Sequence, residues 1–264
     1  QFSYGQTVIM IPNTPTEHDD IIAENYLRSS KFRASGFDGF MQEYVSLQPD
    51  RLVVLPEGID PVVAAFTELV SVSVHALQRF DRIAHARNMI GIWGDGNLGY
   101  ITAIFCKAMF PDTKLAVFGV DNEKLANFAF ADATYRVTDI PEGLLVDHAF
   151  ECVGGAASQS AIDQIIDHIQ PEGTIGLLGV SEYPVPINTR MVLEKGLRLY
   201  GSSRSGRSDF VKTVELYQSH PEIVNYLDAI VGARIEVRSM ADMVRAFEMD
   251  IHKSMGKTIM HWMQ

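Results

Sequence analysis

The chain has 264 residues, 47% of them hydrophobic and 21% charged, enough to bury one large core or two ordinary ones. Its formal charge of −11 repels nucleic-acid phosphates and anionic lipid, which excludes both as general partners but still allows a local pocket for one small phosphate. Two cysteines, Cys106 and Cys152, are too few for a disulfide framework or a four-cysteine zinc loop; no apolar run is long enough for a bilayer, and a cytoplasmic setting is expected.

The chain opens on Gln1 rather than Met, just ahead of a strand expected over Thr7–Ile11, as expected of a chain that lacks an N-terminal part. Pro12-Asn13-Thr14-Pro15 then forms a loop that no helix or inner strand accepts. Gly39–Val45 and Leu52–Leu55 are short strand candidates around a polar turn. Glu68 stands at the head of an apolar helix that carries His75. On residue type alone these are a solvated helix-start carboxylate and a core-edge histidine.

From residue 76 to 203 apolar runs alternate with helical patterns, the signature of βαβ units and a parallel sheet. Strands are expected over Met89–Trp93, Leu115–Phe118, His148–Cys152, Thr174–Leu178 and Leu197–Tyr200, with helices over Leu98–Met109 and Ala157–Ile169. The fold class is therefore α/β, a doubly wound Rossmann sheet whose ligand sits at the carboxyl ends of the strands. Further helices are expected near Phe210–Gln218 and Met240–Phe247, before a last strand at Lys257–Trp262.

Gly94-Asp95-Gly96-Asn97-Leu98-Gly99 links the first of these strands to its helix, the context a dinucleotide loop requires. Gly94 allows the tight turn, Gly96 lets backbone approach a pyrophosphate, and Gly99 lets helix and sheet pack closely. Asn97 and Leu98 open the helix, whose free N–H groups and dipole favour phosphate. An acid at the end of the next strand would hold the ribose of NAD. Gly119 is the residue assigned there, with Lys124 near enough to attract a 2′-phosphate, so NADP(H) is expected. A register shift of two residues would instead put Asp121 on the ribose. Gly201–Arg207 follows the last sheet strand and opens on the same side. Arg204 is expected to clamp the cofactor pyrophosphate or a sugar phosphate, and Arg207 to do so more weakly.

The sequence resembles the zinc-dependent medium-chain dehydrogenases/reductases of the polyol type along its whole length. The matching pieces are Gly39-Phe40-Met41-Gln42-Glu43-Tyr44, Glu68 with its helix, the glycine loop, Glu151-Cys152-Val153-Gly154 and Gly256-Lys257-Thr258. Longer strings narrow the resemblance to the bacterial branch that makes ribitol 5-phosphate from ribulose 5-phosphate for teichoic acids or capsules. They are Pro12–Glu17, Gly91–Thr102, Asp147–Gly155 and Gly201–Gly206.

The resemblance implies a Rossmann domain (76–203) beside an incomplete, β-rich, GroES-like catalytic lobe (1–75 and 204–264). Val153 and Gly154 then join the cofactor-binding residues. It implies NADPH as hydride donor and a catalytic zinc held by a Cys, a His and a late acid, here Glu68. The Cys and His belong to the family's first quarter, ahead of Gln1, and no cysteine lies between Gln1 and Cys106 for the structural-zinc loop. This chain is therefore expected to hold no catalytic zinc and to expose apolar surface; no catalytic acid is assigned. The expected partners are a sugar phosphate, a second copy of the chain and a cytidylyltransferase acting on ribitol 5-phosphate. An NAD-dependent polyol dehydrogenase, or a nucleotide-binding protein without catalysis, are the alternatives.

Overall fold

The structure is a computed structural model that describes residues 2–252 and 255–263. Its first part is built from very short strands. β1 (Val8–Met10) pairs antiparallel with β4 (Leu52–Val54), and β2 (Asn13–Thr14) with β3 (Lys31–Phe32). Asn13 and Thr14 thus form a two-residue edge ladder inside the expected loop. The expected strand Gly39–Val45 does not form: the segment is irregular, with Met41 and Tyr44 exposed. No neighbouring strand among the described residues offers its backbone a ladder, and strand propensity alone cannot supply one.

Helix α1 (Pro61–Ala64) starts at Asp60, which accepts from the Val62 N–H, with proline at the first helical position. Helix α2 (Thr67–Asp81) follows at once. It runs unbroken through residue 76, so the expected boundary at that residue lies inside a helix. Val70, Val74, Leu77 and Phe80, at helical spacing, are buried against the sheet and carry the lobe onto it.

The central sheet has six parallel strands. They are β5 (Met89–Trp93), β6 (Lys114–Gly119), β7 (Ala133–Arg136), β8 (Val146–Glu151), β9 (Ile169–Leu177) and β10 (Arg198–Gly201), in the spatial order β10-β9-β8-β5-β6-β7. Helices α3 (Asn97–Met109), α4 (Asn122–Leu125), α5 (Ser158–His168) and α6 (Thr189–Glu194) lie in the connections. This is the doubly wound order in which strand direction of travel reverses between β5 and β8, and ligands bind at the carboxyl ends beside that switch. All five expected strands form, and β7 is added. α3 is apolar nearly all round, with Tyr100 to Cys106 buried, because α2 and the C-terminal segment cover the side away from the sheet.

Helix α7 (Arg207–Ser219) packs Phe210 and Val214 on Ile11 and Val53, so the chain does return to the first lobe. Helix α8 (Glu222–Asp228) and the parallel pair β11 (Val231–Val237) and β12 (Lys257–Trp262) behave differently. Leu227, Ile230 and Ile259 join the core beside α3. Helix α9 (Met240–His252) leans on this pair and turns Met240, Val244, Phe247 and Ile251 to solvent, an exposed apolar stripe. Among the described residues the lobe outside the sheet contains three separate two-stranded ladders and no closed barrel.

Candidate active site

The glycine loop has the geometry its sequence demands. Gly94 sits at φ +129°, and a Cβ there would meet the Cys152 backbone at 2.9 Å; a Cβ on Gly99 would lie 1.9 Å from the Gly94 carbonyl oxygen. At Gly96 nothing lies within 4 Å of the Cβ position, so that backbone faces open space. It caps α3 without a side-chain acceptor, which leaves the first N–H groups of the helix free for an anion. Leu98 packs into the core. Asn97 exchanges hydrogen bonds with Gly256, donating through Nδ2 at 3.0 Å and accepting through Oδ1 at 2.8 Å. Its side chain therefore ties the loop to the start of β12, and only its backbone faces a ligand.

Gly119 closes β6, as the sequence assigns it. Asp121 is turned onto backbone: its Oδ1 caps α4 by accepting from the Glu123 and Lys124 N–H groups. The acid at this strand end comes instead from the glycine loop. Asp95, buried, accepts from the N–H groups of Val120 and Asp121 at 2.7 and 2.8 Å, and its Oδ2 lies 2.5 Å from where a Gly119 Cβ would stand. Lys124 is half-buried, and its ammonium makes no hydrogen bond or ion pair among the described residues.

At the next strand end Glu151 does comparable work. Buried at 1% exposure, it accepts from Val153 N and Gly154 N with one oxygen and from Gly179 N with the other. This single carboxylate joins the loops after β8 and β9. The Val153 and Gly154 N–H groups are thus committed, and what Val153 presents to the ligand side is its exposed apolar side chain. Gly154 sits at φ +70°, where a Cβ would press on the Val180 carbonyl at 2.7 Å. Sequence patterns do not reveal these roles of Asp95 and Glu151, because acids at strand ends look solvated; the available signal is Asp95 next to Gly94 and Glu151 three residues before Gly154, two glycines at positive φ.

Glu68 lines a cavity of about 580 Å³ with Ile9, Met10, Pro12, Phe32, Arg33 and Phe40 among its neighbours. Burial holds its carboxyl above the usual range, since few polar groups replace water there. Among the described residues no group of three or more His, Cys, Asp or Glu side chains is placed to hold a metal ion. Both thiols are buried; desolvation pushes Cys106 up to about 12 and Cys152 higher still, and Cys152 faces the Thr102 hydroxyl. Glu68 thus suits one zinc ligand, and the residues described here do not assemble a zinc site around it.

Arg204 lies at the edge of this cavity. It adopts φ +58° and stacks its guanidinium 4.5 Å from the centre of the ring of Phe32, a lining residue, and its N–H groups make no hydrogen bond or ion pair among the described residues. Arg207 is not available to a phosphate in the same way: its Nη1 donates to the carbonyls of Asp50 and Leu52, and its backbone N–H to Glu24. His75 is a buried junction residue. Its Nδ1 meets the Asp209 carboxylate at 3.1 Å, while Asn25 and the Tyr26 hydroxyl approach Nε2 at 3.2 Å.

A doubly wound sheet, an open glycine loop at its switch point and a carboxylate-braced edge define a nicotinamide-dinucleotide dehydrogenase domain. Comparison with known proteins agrees. Residues 114–219 match the zinc-binding dehydrogenase family model. The ribulose-5-phosphate reductase of Bacillus spizizenii is 57% identical over 262 residues, covering 99% of this chain and 77% of that protein. Ribulose-5-phosphate reductase 2 of Staphylococcus aureus is 56% identical over the same shares. The crystal structure of S. aureus TarJ in complex with NADPH matches with a TM-score of 0.89 at 49% identity, over 100% of this chain and 77% of that one. The chain belongs to the ribulose-5-phosphate reductases of the zinc-binding dehydrogenase family.

Proposed function

We propose that this protein binds NADPH across the carboxyl ends of β5, β6 and β8 and reduces D-ribulose 5-phosphate to D-ribitol 5-phosphate. The observation that carries the reading is 57% identity to a ribulose-5-phosphate reductase through nearly the whole chain, with the glycine loop intact. In it, Gly94, Gly96 and Gly99, with the backbone of Asn97 and Leu98, receive the pyrophosphate. Gly119 and Lys124 accommodate the adenosine end, and Val153 and Gly154 border the nicotinamide half. Bound NADPH supplies a hydride for the C2 carbonyl, and a proton completes the new hydroxyl as NADP⁺ forms.

In this reading the Glu68 cavity receives the sugar, which suits a carboxylate whose side chain has no protein partner among the described residues. Arg204, stacked on Phe32 at the edge of this cavity, serves the sugar phosphate, the second of its two expected roles, with Arg33 of the cavity lining beside it. Glu68 would be the protein's acidic zinc ligand where zinc is present. The product feeds ribitol-containing teichoic acid or capsule precursors in the cytoplasm. Self-association and docking of a cytidylyltransferase that consumes ribitol 5-phosphate belong to the same proposal; no described helix is long and apolar enough to cross a membrane. The test is loss of NADPH absorbance on adding D-ribulose 5-phosphate, with ribitol 5-phosphate identified by mass spectrometry. NADPH binding without turnover of any pentulose phosphate would leave a nucleotide-binding protein and overturn the proposed reaction.

A further inference from the structure

A second cation stands beside the adenosine end of the cofactor site, on a strand absent from the sequence expectations. In the parallel pairing of β6 with β7, Gly119 lies opposite Arg136. Adjacent strands run about 4.8 Å apart, and directly paired residues present their side chains on the same face. Gly119 identifies that face, because its Cβ direction points at Asp95 of the glycine loop. The preceding residue, Tyr135, takes the opposite face and stacks on Phe118 at 5.5 Å between ring centres. Arg136 is therefore on the glycine-loop side of the sheet, at the carboxyl edge. It is exposed, and its guanidinium makes no hydrogen bond or ion pair among the described residues.

The charges nearby make this cation available to a ligand. Both acids of the strand end are turned onto backbone: Asp95 onto Val120 N and Asp121 N, Asp121 onto Glu123 N and Lys124 N. Asp95 also fills the space in which a side chain at position 119 would have reached a ribose. Two cations, Arg136 from β7 and Lys124 from α4, are left uncommitted beside them. In this topology the ribose of the adenosine half lies at the end of β6, where an added phosphate would meet those two groups.

We propose that Arg136 is the residue that reads the 2′-phosphate of the cofactor and so sets the preference for NADPH over NADH. The inference rests on the reading of this edge as a nicotinamide-dinucleotide site. A guanidinium suits the task because it offers parallel N–H donors to two phosphate oxygens, whereas Lys124 adds a point charge.

The test is calorimetric titration of the protein and its Arg136→Ala and Arg136→Lys variants with NADPH, NADH, 2′,5′-ADP and 5′-AMP. Arg136→Ala should weaken NADPH and 2′,5′-ADP by roughly tenfold to a hundredfold, as expected for lost hydrogen bonds to a charged group. NADH and 5′-AMP should change by no more than about twofold, as should the effect on ligand-free stability at an exposed site. Arg136→Lys should fall between, and the salt dependence of NADPH binding should flatten in Arg136→Ala. If the unmodified protein prefers NADPH and Arg136→Ala keeps that preference, the assignment of Arg136 is overturned while the cofactor reading stands. Equal losses for NADPH and NADH would also overturn it, by showing a general positioning role. If the unmodified protein binds NADH as tightly as NADPH, the cofactor reading fails and the inference falls with it.

Discussion

The sheet domain and the first lobe are held together by different means. In the sheet domain, strands of four to nine residues pair along one parallel sheet, and the site is made of backbone: glycines that allow close approach, braced by Asp95 and Glu151. In residues 2–60 the strands are two or three residues long, and side chains carry the structure. Arg51 is the clearest case, buried and donating to the Asn13 carbonyl, Glu24 and Asp50. A backbone-built site is specified by neighbours in sequence. A side-chain-built lobe is specified by partners that meet only after folding, as Glu24 meets Arg51 and Arg207.

Gly99→Val is the strongest way to sharpen that contrast. A Cβ at 1.9 Å from the Gly94 carbonyl forces α3 away from the loop, and overpacking of this kind costs about 1–3 kcal/mol before any ligand contact is lost. NADPH affinity should fall by at least about a hundredfold by fluorescence titration, with lobe contacts intact by hydrogen exchange. Retained affinity would show that the loop does not receive the cofactor.

Glu151→Ala should come next. Three part-buried N–H groups lose a charged acceptor, and donors left without one cost about 1–3 kcal/mol when water cannot replace it. We expect a lower unfolding midpoint and weaker nucleotide binding together, since one carboxylate organises both loops. Arg51→Leu approaches from the other side. Glu24 and the Asn13 carbonyl would lose their partner, and partial exposure of Glu24 reduces the cost to about 2 kcal/mol. Hydrogen exchange should rise in residues 8–54 while NADPH affinity stays within about twofold. Coupled loss of both would mean the two regions are not separable in the way described.

The smallest expected effect concerns pH. His148 is buried; its Nε2 donates to the carbonyls of His85 and Ala86, and its Nδ1 accepts from Thr174 N. Desolvation lowers its pKa, and the N–H of Thr174 leaves no room for a second ring proton. With the folded pKa below the unfolded value near 6.5, its contribution is present above that value and is lost as pH falls through the folded pKa. His148→Gln should flatten the fall in unfolding midpoint between neutral and mildly acidic pH. An unchanged slope would remove His148 from the account.

The same division explains what could be read from the sequence. Met89–Trp93 and Lys257–Trp262 emerge as expected to the residue, and the helix at Leu98–Met109 to within one, because apolar runs and a glycine loop are local signals. β7 escaped notice, as Ala-Thr-Tyr-Arg is short and alternately exposed. Gly39–Val45 has strand-like residues and no described strand beside it, so composition misled. Asp121 and Gly119 could be separated only once the register was fixed. The bonds of Asn97 to Gly256 and of His75 to Asp209 join residues more than a hundred positions apart, which no local pattern encodes.

A crystal structure of the protein grown with NADPH decides whether the cofactor lies across the carboxyl edge with its pyrophosphate on the first turn of α3. Density is expected for the pyrophosphate against the N–H groups of Asn97 to Gly99, with the 2′-phosphate beside Gly119. A nucleotide bound anywhere else on the chain, with the glycine loop left empty, would contradict that placement.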